Sequence, residues 1–99
     1  MENITNNTQV VVLMSVYKKD NPKHLCLSIE SILNQTYSNF KLLIGVDGTV
    51  GIDLERELRK YETNNKIIVF WFQENRGLTI VLNALLEKGK KLLPAYFAR

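Results

Sequence analysis

The residues that could do chemistry lie at or shortly after the ends of three apolar runs of the sequence. They comprise a hydroxyl, an aromatic ring, a carboxylate, an amide, a guanidinium and two glycines, which are Ser15, Tyr17, Asp47, Gly48, Asn75, Arg76 and Gly77. An aromatic ring can stack on a nucleotide base, and a carboxylate can accept hydrogen bonds from a base N–H or a ribose hydroxyl. Together these residue types suit a nucleotide, although each alone also suits an ordinary turn, where Asp and Gly are common.

The two glycines have specific uses in such a site. Gly48 lets the backbone approach a ligand closely, because it has no side chain. Gly77 precedes an expected helix, and the backbone N–H groups at a helix start attract anions such as phosphate. These features extend the nucleotide interpretation from the base to its phosphates.

Three runs rich in β-branched and aromatic residues predict the strands that must position these side chains. They extend from Val10 to about Tyr17, from Phe40 to Val46 and from Lys66 to Phe72. Continuous apolar runs such as the first two are typical of strands buried on both faces, and the third is rich in the Ile, Val and aromatic residues that strands favour. A fourth strand is predicted to begin over Ala95–Ala98.

Apolar residues recur at helical spacing between the strands. Leu25 and Ile29 belong to a helix predicted over Pro22–Gln35, a second helix is predicted over Asp53–Tyr61, and a third begins at Leu78. The order is therefore β-α-β-α-β-α-β, which predicts an α/β fold with three layers and a mainly parallel sheet. Open sheets of this kind bind ligands at the carboxyl ends of their strands.

Composition is that of one small globular domain. The chain has 99 residues, of which 45% are hydrophobic and 23% charged. Residues 1–9 are rich in Asn and Thr and are predicted to be a disordered tail, so the domain would cover residues 10–99.

The net charge is +3, but Lys and Arg are spread along the chain rather than forming the stripe of a nucleic-acid binder. We therefore expect no nucleic-acid partner.

The single cysteine, Cys26, cannot form a disulfide within the chain and fits a reducing compartment. The first residues contain no apolar signal sequence, and no stretch approaches the roughly 20 apolar residues of a membrane span. These features predict a cytoplasmic protein, although a full-length parent could be membrane-associated.

Several familiar α/β sites are excluded by their missing motifs. A dinucleotide site of the G-x-G-x-x-G type needs glycines after the first strand, and no glycine precedes Gly45. The P-loop motif and the C-x-x-C motif are also absent. A generic flavodoxin-like binding domain stays open as an alternative, without a loop motif to support it.

Five segments carry a family resemblance. They are Met14–Pro22 (MSVYKKDNP), Ser28–Tyr37 (SIESILNQTY), Val46–Thr49 (VDGT), Asn75–Leu78 (NRGL) and Asn83. In this order and spacing, the chain resembles bacterial family 2-type glycosyltransferases of the GT-A fold, over nearly all residues from Val10 onward. One departure is Val46, since many members carry an acid there, before a second acid and a glycine.

The resemblance implies a donor site for a nucleotide-diphospho-sugar, with a UDP-sugar favoured. By position, Ser15 and Tyr17 would line the base pocket, and Asp47 would bind the base or ribose. Asn75, Arg76 and Gly77 would lie near the ribose and phosphates. The parent enzyme would transfer a sugar to a glycan or lipid-linked acceptor, in the synthesis of surface polysaccharide.

The resemblance also implies a divalent ion, Mg²⁺ or Mn²⁺, held by an acidic D-x-D motif. In the family this motif follows the strand that resembles Ala95–Arg99, so its ligands are expected beyond Arg99. We therefore expect a truncated domain without turnover of its own. The alternative is a non-catalytic α/β module that binds a nucleotide or self-associates, for example as a homodimer through the face that truncation would expose.

Overall fold

The computed structural model describes residues 9–96, in which strands and helices alternate. The strands are β1 (Val10–Val16), β2 (Phe40–Asp47) and β3 (Ile67–Phe72). The helices are α1 (Pro22–Leu33), α2 (Ile52–Tyr61) and α3 (Leu78–Leu92), and a short 3₁₀ helix follows at Pro94–Tyr96. The first six predicted elements are confirmed, with boundaries close to those expected.

The three strands form one parallel sheet in the order β1-β2-β3, with β2 in the centre. Val16 pairs with Val46, and Asp47 pairs with Phe72. Because all strands run the same way, their carboxyl ends meet at one edge of the sheet. The loops predicted to carry the site all begin at this edge.

Helices cover both faces of the sheet, which confirms the predicted three layers. On one face α1 and α2 pack against Leu42, Ile44 and Val46 of β2. On the other face α3 packs against Leu43 of β2. Its Val81 and Leu85 side chains are fully buried in this contact. Alternate residues of β2 thus serve two cores, as the two-residue period of a strand requires.

The prediction of burial on both faces is right for β2 and wrong for β1. Every residue of β2 except Lys41 is buried, whereas in β1 only Val16 is buried and the others are half-buried or exposed. The reason is position, because β1 is an edge strand of the sheet that the described residues form.

The predicted fourth strand is not formed where its first residues are described. Ala95 and Tyr96 belong to the 3₁₀ helix, in which the backbone N–H of Tyr96 donates to Leu93 O at 2.9 Å. Pro94 begins this turn with a fixed φ and no N–H to give to a neighbouring strand. Phe97 and Ala98 lie outside the described residues, as do residues 1–8 of the tail predicted to be disordered over residues 1–9.

Side-chain contacts join α1 to α2. The Tyr61 hydroxyl, on a ring that is 8% exposed, donates a hydrogen bond to Glu30 Oε2 at 2.8 Å. The Sγ atom of Cys26 lies 3.3 Å from the same hydroxyl. Burial, followed by these two contacts, raises the pKa of Tyr61 above its usual value. Cys26 is therefore part of the packing between these helices.

None of the helices in residues 9–96 has the length and apolar character to cross a membrane.

Candidate functional site

Asp47, the last residue of β2, is the buried centre of the carboxyl edge. It is a buried charged residue beside the core, with 3% exposure. Oδ1 accepts a hydrogen bond from the backbone N–H of Arg76 at 2.7 Å, and Oδ2 accepts one from Gly77 at 2.9 Å. The structure thus brings Asp47 together with the loop that joins β3 to α3, which is called here the β3–α3 loop (residues 73–77).

Further contacts hold the same loop against the end of β2. The Asn75 side-chain amide donates to Asp47 O at 3.4 Å, and the backbone N–H of Gly48 donates to Phe72 O at 3.1 Å. Gly48 has φ +85°, and a Cβ there would lie 3.0 Å from the backbone nitrogen of Asn75. The predicted close approach at Gly48 is therefore to the chain itself, and it brings two predicted site segments into contact.

The β3–α3 loop presents polar groups to solvent at the start of α3. Asn75 and Arg76 are exposed, and Gly77 is the N-cap of α3 with φ +96°. Arg76 makes an ion pair with Glu74 at 3.1 Å, in which both side chains are more than half exposed. Gly77 has no side chain with which to cap α3, and no side-chain cap bond forms there among residues 9–96. An exposed guanidinium beside an uncapped helix start is an arrangement that attracts anions.

Ser15 and Tyr17 lie at the end of β1, at the same edge of the sheet. Ser15 is half-buried and pairs with Gly45 of β2. The Tyr17 side chain is 41% exposed, and its backbone is held by a turn in which Tyr17 N–H donates to Asp20 Oδ2 and Asp20 N–H to Tyr17 O, both at 3.0 Å. Within residues 9–96 no side-chain hydrogen bond joins either residue to Asp47 or to the β3–α3 loop.

Three of the predicted site residues line three different cavities in the described part of the chain. Ser15 lines one of about 410 Å³ between β1 and α1, with Asp20 and His24. Arg76 lines a second of about 410 Å³ between β3 and α3. Gly48 lines a third, of about 200 Å³. The structure thus places the ends of all three strands at one edge of the sheet, and Ser15, Arg76 and Gly48 line three different cavities there.

A cluster beside the third cavity was missed by sequence reasoning. The indole N–H of Trp71 donates to Glu62 Oε2 at 2.7 Å, and the Arg59 guanidinium lies 4.1 Å from the centre of the Trp71 ring. The bond from Trp71, together with Arg59, lowers the pKa of Glu62 below its ordinary value. Arg59 lies in α2, Glu62 is the C-cap of that helix and Trp71 lies in β3. Only the spacing between Arg59 and Glu62 could therefore have indicated a contact from the sequence.

A metal site does not form among the described residues. No group of three or more His, Cys, Asp or Glu side chains in residues 9–96 is placed to hold an ion. The buried acid at the carboxyl edge, Asp47, already accepts two backbone hydrogen bonds. The residues present therefore do not fit the divalent ion that the resemblance implies.

Comparison with known proteins gives the family directly. The family model "Glycosyl transferase family 2" matches residues 11–91. The O-antigen biosynthesis glycosyltransferase WbnJ of Escherichia coli is 34% identical over 82 residues, which are 82% of this chain and 31% of that protein. The amylovoran biosynthesis glycosyltransferase AmsE of Erwinia amylovora is 30% identical over 77 residues, which are 78% of this chain and 29% of that protein.

A third relative, an uncharacterised glycosyltransferase of Haemophilus influenzae, is 38% identical over 72 residues. These residues make up 73% of this chain and 27% of that protein. The chain thus spans between 27% and 31% of the length of these three relatives. The matched region contains β2, β3, α1 and α2, and all but one terminal residue each of β1 and α3. The chain therefore belongs to glycosyl transferase family 2.

Proposed function

We propose that this chain is the part of a sugar transferase that binds the nucleotide-diphospho-sugar donor, with a UDP-sugar favoured. The observation that carries the proposal is the β3–α3 loop, whose backbone is held by Asp47 while Asn75 and Arg76 face solvent at the carboxyl edge. That edge is where open parallel sheets bind ligands. Family membership supports the transferase class.

Tyr17 is the proposed platform for the base. Its ring is 41% exposed, while its backbone is fixed by the reciprocal turn with Asp20. A ring that is both accessible and positioned can stack on a base, and such stacking contributes about 1–3 kcal/mol. Ser15 precedes it by two residues and adds a hydroxyl at the wall of the neighbouring cavity.

Arg76 and the start of α3 are the proposed contacts of the diphosphate. The guanidinium is exposed and supplies a permanent positive charge with several N–H donors. The N-terminus of α3 adds backbone N–H groups and the positive end of the helix dipole. Asn75, which adjoins Arg76, would reach the ribose or the first phosphate.

For the whole protein we propose transfer of the sugar to a glycan or lipid-linked acceptor. In that reaction the bond between the anomeric carbon and the diphosphate breaks, and an acceptor oxygen takes the sugar. The names of two relatives place those proteins in O-antigen and amylovoran biosynthesis, which supports surface polysaccharide as the product class. The described residues contribute donor binding, so we expect this chain alone to bind a nucleotide and to turn over none.

Titration of the ¹⁵N-labelled chain with UDP, uridine and ADP tests the donor site. We expect UDP to shift the amide signals of Tyr17 and the β3–α3 loop, with a dissociation constant of about 1 mM, equivalent to about −4 kcal/mol. Tyr17→Leu should weaken binding about fivefold or more through lost stacking. Leu27→Ala is the control, since Leu27 is an exposed α1 residue with 68% exposure. Absence of shifts at these residues, with every nucleotide at several times that concentration, would contradict the proposal.

A second candidate function is self-association, and the exposed apolar side chains of α3 favour it. Leu78 and Ile80 are 62% and 52% exposed at one end of α3, and Leu92 is 56% exposed at the other. Large exposed apolar side chains are common components of contact surfaces. Sedimentation of the chain should then show a dimer that Ile80→Ser weakens. A monomer at all accessible concentrations would exclude this candidate.

A further inference from the structure

We propose that β3 is an interaction surface on which a second copy of this chain docks, edge to edge and antiparallel. Such a dimer is a property apart from donor binding. It rests on the self-association candidate, to which it gives a definite surface and a definite pairing of residues.

The outer side of β3 carries unpaired backbone groups. Within residues 9–96, β3 pairs with β2 alone. Lys66 O and Phe72 O accept from backbone N–H groups of β2 and of the residue after it, at 2.7 and 3.1 Å. Because successive residues of a strand direct their backbone groups to opposite sides, Val69 and Trp71 direct theirs away from β2. An unpaired edge of this kind is a template for a second strand.

The side chains of β3 do not block such pairing. Natural edge strands are protected by charged side chains, prolines or bulges. The strand Ile67–Phe72 (IIVFWF) contains neither a charged residue nor a proline, and after Ile67 all of its side chains are only half-buried. The cavity of about 410 Å³ that Trp71, Phe72 and Ile80 line shows that α3 leaves part of this side open.

Antiparallel pairing about a twofold axis at Phe70 fits these backbone groups. With Phe70 opposite Phe70 of the second copy, Val69 of each copy comes opposite Trp71 of the other, and the two residues exchange both backbone hydrogen bonds. The two rings at the axis form the kind of pair in which side chains are closest. The same register brings Lys66 of each copy to the level of Glu74 of the other.

The charges at that level are complementary. The Glu74 side chain is 74% exposed. Lys66 Nζ donates to Ser38 O and has further N–H donors for a second acceptor. The other edge strand, β1, offers no such match, because residues 9–16 contain no acid that could oppose Lys18 and Lys19. Charge complementarity therefore favours β3 as the paired edge.

One like-charge contact limits the strength of the dimer. Lys88 Nζ lies 5.4 Å from the centre of the Phe70 ring, so the Lys88 groups of the two copies would come near each other at the axis. The strand is also short, with six residues, and small interfaces are weak. We therefore expect a dissociation constant of about 0.1 mM.

Sedimentation of charge-reversed variants tests the pairing. Lys66→Glu and Glu74→Lys should each weaken the dimer about fivefold or more, because each places like charges opposite one another. An equimolar mixture of the two variants should dimerise about as well as the wild type, since opposite charges then meet at both ends. Asp53→Lys is the control, because it makes the same change of charge as Glu74→Lys at an exposed acid outside the strand and should leave the dimer unchanged. No gain on mixing would overturn the register.

Hydrogen exchange of the wild-type chain locates the contact and does not depend on the folding of a variant. The Val69 and Trp71 amides should exchange about fivefold more slowly at roughly 1 mM chain than in dilute solution, whereas the Phe70 amide, which faces β2, should be protected at both concentrations. A dimer without this change at Val69 and Trp71 would overturn the β3 surface and leave self-association standing. A chain that stays monomeric at roughly 1 mM would exclude both.

Discussion

Gly45 of β2 lies so close to Val81 of α3 that a Cβ on the glycine would be 2.6 Å from Val81 Cγ1. Phe72 Cε2 and Leu85 Cδ1 would lie 3.1 and 3.2 Å from the same position. The core beneath α3 is therefore packed around the missing side chain. This contact holds α3, and with it the β3–α3 loop, close to the central strand.

Gly45→Ala should destabilise the chain by about 1–3 kcal/mol, because the added methyl group overpacks this core and three side chains would have to shift. Urea unfolding, followed by circular dichroism, measures the loss. Gly51→Ala is the matched control, since nothing lies within 4 Å of a Cβ at Gly51. Equal stability of the two variants would show that α3 can move away from β2 without cost.

Tyr61→Phe should lower the free energy of unfolding by about 0.5–1.5 kcal/mol, through loss of the hydrogen bond to Glu30. In the wild type the pKa of Tyr61 is raised in the folded state, so the neutral hydroxyl contributes to stability below pH 10.0, the ordinary pKa of tyrosine. This contribution is lost as the pH rises above that value. The variant should lack that alkaline loss. Tyr17→Phe is the control, because the Tyr17 ring is exposed; a similar effect there would contradict the prediction.

Most of the fold could be predicted because each element has a local signal. Asn21 caps α1, with its side chain accepting from Lys23 N–H and His24 N–H, and Pro22 begins the helix as expected. The β-branched and aromatic runs gave the three strands. Pro94 is the exception, because an apolar segment predicted a strand whereas the fixed φ of proline favoured a turn.

The candidate site was less predictable because its contacts are non-local. The type and strand-end position of Asp47 indicated a polar role, but its backbone partners at Arg76 and Gly77 lie about thirty positions along the chain. Because its partners are backbone N–H groups, the residue types at those two positions do not indicate the contact. The same applies to Trp71, whose partner Glu62 ends the preceding helix. Only the fold places these groups within hydrogen-bond distance.

Glu62→Gln should remove an acid-dependent part of the stability. Because Trp71 and Arg59 lower the pKa of Glu62, its contribution is present above the ordinary value of 4.5 and is lost as the pH falls through the folded-state value. The wild type should therefore exceed the variant by about 0.5–1 kcal/mol at neutral pH, with the difference vanishing in acid. Urea unfolding at several pH values, followed by the fluorescence of Trp71, the chain's single tryptophan, measures this.

The control for that titration is Glu87→Gln. Glu87 is an exposed acid that pairs with Lys90 rather than with Trp71 or Arg59. Its stability difference from the wild type should stay small at every pH. A difference between wild type and Glu62→Gln that persists in acid would show that the carboxylate charge is not responsible.

Gly77→Ala should destabilise the chain by about 1–3 kcal/mol more than Gly51→Ala, since only the backbone conformation differs between the two sites. Both glycines are helix N-caps, and a Cβ would meet nothing within 4 Å at either. Gly51 has φ −71°, which alanine adopts readily, whereas Gly77 has φ +96°. Thermal unfolding of the pair gives the comparison. Equal losses would mean that the β3–α3 loop relaxes to another conformation.

Glu74→Gln should strengthen binding of UDP about two- to fivefold, because the Glu74 carboxylate competes with a diphosphate for the Arg76 guanidinium. Both side chains are more than half exposed, so loss of this pair should cost less than about 1 kcal/mol of stability. Calorimetric titration should show the gain for UDP at low salt, a smaller gain at high salt, and none for uridine, which lacks phosphate. Glu87→Gln is again the control for removal of one negative charge. Equal strengthening of uridine and UDP would place Arg76 away from the phosphates.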